Sequence, residues 1–217
     1  MGEFSATLRQ QVLSWLANNV PESRIKHVLR VEQMAVDLAS LHNVDQSQAA
    51  QAGLMHDLAK YFKPQVFLQM AEAAALPLDR VDQLNPHLLH AEVGVIVAQQ
   101  TFGVQDPEVL AAIANHTLGK PGMSDLSCVV FLADSLEPGR GNSPALEGLR
   151  QLSQQQLRQA VWMTRDNTLK KLIETGRSIH PRALATRNWF LHHHPVSRST
   201  AHRPLSTDEH QPRLRCR

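Results

Sequence analysis

The sequence predicts an all-α protein, and three observations carry that reading. Alanine, leucine and glutamine gather in long stretches that favour helix. The alternation of β-branched and polar residues that marks half-buried strands is nearly absent. Apolar residues recur instead at helical spacing, as in Leu8, Val12, Trp15 and Leu16, or Val31, Met34 and Leu38. At 217 residues, 42% hydrophobic but only 5% aromatic, the chain can bury one good-sized, mainly aliphatic core.

A first helix is expected over 5–19, broken by Pro21. Ser23 is the expected cap of a second helix, 24–41, which carries His27 on its inward stripe. Alone, His27 reads as a buried core histidine. The third helix, 49–60, has Leu54 and Leu58 on one face and His56-Asp57 in its middle. Gly53, one turn before His56, leaves room for close approach, and Lys60 follows one turn after it. Pro64 opens a helix through 75, and 81–86 reads as loop. On a helix over 87–101, His87 and His90 share a side; Gly94 permits close approach and Gly103 is the stop. Asp106-Pro107-Glu108 starts the next helix with a cap, a proline and an acid, and that helix ends near His116. A glycine-flanked loop, 117–123, leads to Ser124, the cap of a helix that contains Asp134 and stops at Pro138-Gly139. Ser143-Pro144 begins a short helix, Ser153 a longer one through 175, and His180-Pro181 a last one that ends by 194.

Net charge is +2, and the last 27 residues hold five arginines against Asp208 and Glu209. The fold itself is therefore near neutral, and the basic balance comes from the tail and says little about the fold's partners. Residues 1–190 are read as one domain and 191–217 as a basic, His/Arg-rich tail without fixed structure. His192, His193 and His194 are read as a solvated helix end. Cys128 and Cys216 form no CxxC pair, so reduced thiols and a cytoplasmic protein are expected. No apolar run reaches the ~18 residues of a membrane span.

His27, His56, Asp57, His87, His90, His116 and Asp134 stand out, several of them on otherwise apolar faces. Histidine and aspartate together suit divalent transition metals. Burying so many polar groups unpaired is expensive, and a shared ion removes that cost. A metal site inside a helical bundle is the expectation.

These residues stand in recognisable surroundings: Arg24-Ile25-Lys26-His27, then Ala52 to Lys60, then His90 to Gly94. The most specific stretches are His116-Thr117-Leu118-Gly119-Lys120-Pro121-Gly122-Met123 and Ala133-Asp134-Ser135-Leu136-Glu137-Pro138-Gly139-Arg140. The pattern resembles the HD-domain phosphohydrolases, and within them the HD-type symmetrical bis(5'-nucleosyl)-tetraphosphatases, the YqeK family. The resemblance covers about residues 5–190; the basic tail has no counterpart in it. It implies an HD-domain helical bundle around a central divalent-metal site. His27, His56, Asp57 and Asp134 would hold one metal, and His90 and His116 a second, with Asp57 bridging. The implied metal is iron, with manganese or another transition metal as the alternative. His87 has a weaker claim, as an exposed residue or a support to a ligand.

The implied reaction is hydrolysis of diadenosine tetraphosphate to two ADP, with Asp57 and Lys60 catalytic. Arg24, Lys60, Thr117, Gly119, Lys120 and Arg140 are the expected contacts to the polyphosphate. Glu137 is read as the ion-pair partner of a nearby arginine. The partner is a dinucleoside polyphosphate, with no membrane and no specific nucleic acid; a homodimer is compatible with this reading. Two rivals stay open: another HD nucleotide phosphohydrolase acting on a mono- or triphosphate, and a non-catalytic nucleotide-sensing HD module.

Overall fold

The computed structural model describes residues 5–195. Among them, eleven α-helices are joined by turns and short 3-10 segments, with no strand. The helices are α1 (Ala6–Asn19), α2 (Glu22–Leu41), α3 (Gln46–Met55), α4 (Pro64–Ala73), α5 (Arg80–Leu84) and α6 (His90–Phe102). They continue as α7 (Pro107–Asn115), α8 (Asp125–Leu136), α9 (Pro144–Gln155), α10 (Leu157–Glu174) and α11 (Pro181–His193).

The chain starts most of these helices with side-chain oxygens. Ser5, Asp45, Asp79, Asp106, Ser124 and Ser143 each accept a hydrogen bond from a backbone N–H in the first turn that follows. Pro107, Pro144 and Pro181 take first positions, where no N–H is needed.

The core is aliphatic. Leu16, Val31, Leu38, Leu54, Met55, Ile113, Leu132 and Leu136 are all buried in it, with Phe131 and Phe190 as its bulkiest fully buried members. Each such side chain withdrawn from water stabilises the fold by about 1.5–3 kcal/mol. α2 and α8 run through this core, with α3 packed on α2, and α7 bridging α8 and α6. A smaller cluster of Ala59, Phe67, Ala71, Leu89 and Val93 seats α4 against the start of α6. Gly53 sets the α2–α3 distance, because a Cβ there would stand 3.0 Å from the Glu32 Cα. The close neighbour that its position allows is thus α2.

Several boundaries differ from those read from sequence. Ser23 is not the cap of α2: Pro21 holds the cap position and Glu22 the first turn. Residues 80–84 are not loop, because Asp79 and Asp82 close a reciprocal capping box that sustains a one-turn helix. Ser153 does not begin a helix; it is buried near the end of α9, its hydroxyl bonded to the Arg150 carbonyl, and the break falls at Gln156. The third helix stops at Met55, so His56 and Asp57 are not mid-helix. Residues beyond it continue as tight turns, with Leu58, Lys60 and Phe62 N–H groups reaching back three residues. The last helix runs to His193, in keeping with its expected end by 194, and residues 196–217 of the expected tail lie outside the described residues.

Candidate metal centre

Three histidines are oriented by bonds to backbone carbonyls three residues back in the chain. His56 follows the last residue of α3, and its Nδ1 donates to the Gly53 carbonyl at 2.7 Å. His116 follows α7 in the same way and donates to the Ile113 carbonyl at 2.7 Å. His90 opens α6 after a 3-10 turn and donates to the His87 carbonyl at 2.6 Å. A carbonyl only accepts, so each Nδ1 carries the proton and each Nε2 presents a lone pair. His27, from α2, is held by a side chain instead: its Nδ1 lies 2.9 Å from Glu137 Oε1.

The four Nε2 atoms converge on Asp57, which is 2% exposed. Its Oδ2 lies 3.4 Å from His56 Nε2 and 3.8 Å from His27 Nε2. Its Oδ1 lies 3.5 Å from His90 Nε2 and 3.8 Å from His116 Nε2. One carboxylate thus turns one oxygen to each histidine pair. Two groups of donors result: His27, His56 and Asp57, and Asp57, His90 and His116. Asp134, from α8, closes on the first, with its Oδ1 3.1 Å from His27 Nε2 and 3.8 Å from His56 Nε2.

The donor set fits divalent ions on grounds internal to the chain. His27 Nε2 and His56 Nε2 are buried with no hydrogen-bond partner. His90 Nε2 and His116 Nε2 face each other at 3.0 Å although both Nδ1 protons are committed elsewhere. Lone pairs brought so close repel, and a cation between or beside them relieves the repulsion. The nearest donors are the Thr117 hydroxyl, 2.9 Å from His116 Nε2, and Lys60 Nζ, 3.0 Å from His90 Nε2.

Titration in the centre follows from this crowding. Burial opposes ionisation of Asp57, but His56, Lys60 and His116 more than offset it and hold its carboxyl well below the usual range. Asp134 behaves alike, lowered against burial by His27, His56 and Arg140. Burial, then the Lys60 charge, lowers His90 to about 4. His116 falls well below its ordinary value through burial and its histidine neighbours. His56 alone rises, because Asp57 and Asp134 outweigh its desolvation. Burial likewise lowers Lys60.

A cleft of about 400 Å³ opens beside the centre, with Lys60, His116, Thr117 and Asp134 on its inner wall. The expected phosphate contacts fall at several places. Lys60 and Thr117 line the cleft, and Arg140 stands at it while paired with the Asp134 carboxylate and donating to the Asp134 carbonyl at 2.7 Å. Arg24 Nη1 lies 3.0 Å from Asp57 Oδ2. Gly119 takes a left-handed φ of 68° and packs on Thr186 of α11, and Lys120 is exposed outside the cleft lining. His87 offers its carbonyl to His90, while its own ring is exposed and packs edge-on to Phe67.

Two features escaped the reading of the sequence. Glu137 does pair with an arginine, Arg30, but it also holds His27; its place three residues after Asp134 was the available signal. Arg165 and Lys171 of α10 line the cleft, and nothing in their local sequence distinguishes them from surface charges.

The HD domain family matches residues 24–139, the span that holds all six proposed ligands. A symmetrical bis(5'-nucleosyl)-tetraphosphatase from Bacillus subtilis is 33% identical over 183 residues, covering 84% of this chain and 97% of that protein. One of the same name from Halalkalibacterium halodurans is 34% identical over 188 residues, with the same coverage of each chain, 84% and 97%. The crystal structure of a Clostridium acetobutylicum protein, described as a predicted HD superfamily hydrolase involved in NAD metabolism, superposes with a TM-score of 0.82 at 35% identity. That match covers 88% of this chain and all, 100%, of the other. A family match over half the chain, near-complete relatives and a shared helical framework agree: the chain belongs to the HD-domain hydrolases, in the symmetrical bis(5'-nucleosyl)-tetraphosphatase family.

Proposed function

We propose that the protein cleaves diadenosine tetraphosphate symmetrically into two ADP, using a pair of divalent metal ions. The observation that supports this most is the double-sided presentation of Asp57, one oxygen toward His27 and His56 and the other toward His90 and His116. His27, His56, Asp57 and Asp134 would hold the first ion, and Asp57, His90 and His116 the second. Nitrogen and carboxylate donors of this kind suit iron, with manganese as a substitute. Such ions would supply Lewis acidity: they neutralise phosphate oxygens and make a water molecule a better nucleophile at neutral pH.

The chain's own residues do the rest. Lys60 Nζ, half-buried beside Asp57 and His90, offers an ammonium to a phosphate oxygen as charge builds on it. Thr117 adds a hydroxyl on the same wall. Arg24 fixes the Asp57 carboxylate, and its remaining N–H groups would be offered to a phosphate oxygen. Arg140 stands over Asp134 at the cleft mouth, while Gly119 and Lys120 belong to the loop behind His116. Water adds to one of the two central phosphorus atoms, the bridging P–O bond breaks, and ADP departs from each side. Among the described residues no helix is long and apolar enough to cross a membrane, and Cys128 is a buried free thiol. The free thiol supports a reading of the enzyme as cytoplasmic.

Metal-stripped protein, reloaded in turn with Fe(II), Mn(II), Co(II), Mg(II) or Zn(II), tests the proposal. ADP as sole product from diadenosine tetraphosphate supports it. AMP with ATP, or free phosphate, would favour a different HD phosphohydrolase, and no turnover with any ion would favour a sensing module.

A further inference from the structure

The α10 wall of the cleft carries a charge that the chemistry above leaves unused. Arg165 is 4% exposed, donates from Nη2 to the Thr117 carbonyl at 2.9 Å, and lies 4.7 Å over the Phe131 ring. Its Nε has no hydrogen-bond partner. Arg24, Arg30, Arg140, Arg182 and Arg187 each meet a carboxylate. Among the described residues Arg165 shows no such pairing. Burial and the neighbouring Arg182 lower its pKa to about 10, so the guanidinium stays charged at neutral pH. A buried charge without a counter-ion is expensive to maintain, and here it borders an open cleft. Thr168 and Lys171 follow at three-residue steps along the same helix and line the same cleft.

We propose that Arg165 and Lys171 form a binding arm for one nucleoside diphosphate half of the substrate. Arg165 takes a phosphate beyond the bond that breaks, and Lys171 takes the outer end. This rests on the functional reading above and deepens it. Two phosphates must lie on each side of the scissile bond for symmetrical cleavage. A cationic wall leading away from the metal centre grips the far pair, and so selects for a long polyphosphate. The guanidinium is the counter-charge that the phosphate brings into balance.

ADP, at once product and half-substrate, is the probe. Its dissociation constant is measured by calorimetry on the full chain, metal-free and manganese-loaded, for wild type, Arg165→Ala, Arg165→Lys and Lys171→Ala. KM for diadenosine tetraphosphate, bound metal and melting temperature are followed alongside. Loss of a charge-assisted phosphate contact should weaken ADP by about tenfold or more in Arg165→Ala and by roughly threefold in Lys171→Ala. Arg165→Lys should fall between wild type and Arg165→Ala, since a point charge replaces a fork. KM should rise in parallel and metal content should hold. Unchanged ADP affinity in Lys171→Ala and Arg165→Lys would overturn the arm, and so would loss of metal in Arg165→Ala with ADP affinity unaltered. Lys171 is exposed, so its variant decides the matter even if Arg165→Ala misfolds. A wild-type chain that binds ADP through this wall yet leaves diadenosine tetraphosphate intact would refute the functional reading and spare the arm.

Discussion

His27 Nδ1 and Glu137 Oε1 lie 2.9 Å apart, though 110 residues separate them in the chain. That contact turns His27 so that Nε2 faces Asp57 and Asp134. Glu137 is itself held by the Gly139 N–H at 2.5 Å and by Arg30. A carboxylate behind a ligating imidazole fixes its tautomer and raises its basicity. Glu137→Gln should therefore lower metal affinity by about 10- to 100-fold while helical content is kept. Metal titration followed by circular dichroism checks this; unchanged affinity would make the contact merely structural.

The same carboxyl gives the metal-free protein a measurable acid dependence. Burial would raise its pKa, but Arg30, His27 and the Gly139 N–H bring it to about 2 from an ordinary 4.5. The fold favours the ionised form, so its stabilisation is complete above about pH 4.5 and is lost as pH falls toward 2. The stability gap between wild type and Glu137→Gln should narrow steadily across that window. Denaturant unfolding at several pH values reads it, and a constant gap would contradict the assignment.

Asp57→Ala removes the one group shared by both donor sets. Hydrolysis should fall to background and bound metal should drop, while circular dichroism stays that of the wild type. Retained activity would remove Asp57 from the chemistry.

Lys60→Ala should separate binding of metal from handling of substrate. The metal should remain, because Lys60 offers no ligand, whereas kcat/KM should fall by about 100-fold for the loss of one cationic contact to a reacting phosphate. Loss of metal in this variant would show that Lys60 is structural.

Two glycines provide a paired stability test. A Cβ on Gly53 would meet the Glu32 backbone at 3.0 Å, while one on Gly94 would meet the His56 carbonyl oxygen at an ordinary 3.6 Å. Gly53→Ala should destabilise by about 1–3 kcal/mol through forced separation of α2 and α3. Gly94→Ala should be near neutral. Thermal unfolding of both variants checks the contrast.

Much of this was legible in the sequence because it depends on local chemistry. Asp106-Pro107-Glu108 and Ser124 announce helix starts that tertiary packing then leaves in place. Boundaries failed where a competing bond decided the outcome. The Asp79–Asp82 box made a helix of an expected loop, and the His56 bond to Gly53 belongs to a helix end rather than a helix middle. Arg165 was not legible as a cleft residue, because its meaning lies in the absence of a carboxylate partner among the described residues. That fact exists only once α10 is packed beside the loop after His116.

The most direct test of the central claim is anomalous diffraction at the iron edge from crystals grown with Fe(II). The account predicts two peaks per chain, one among His27, His56, Asp57 and Asp134, the other among Asp57, His90 and His116. An unoccupied centre, or iron bound only at His192, His193 and His194, would contradict it.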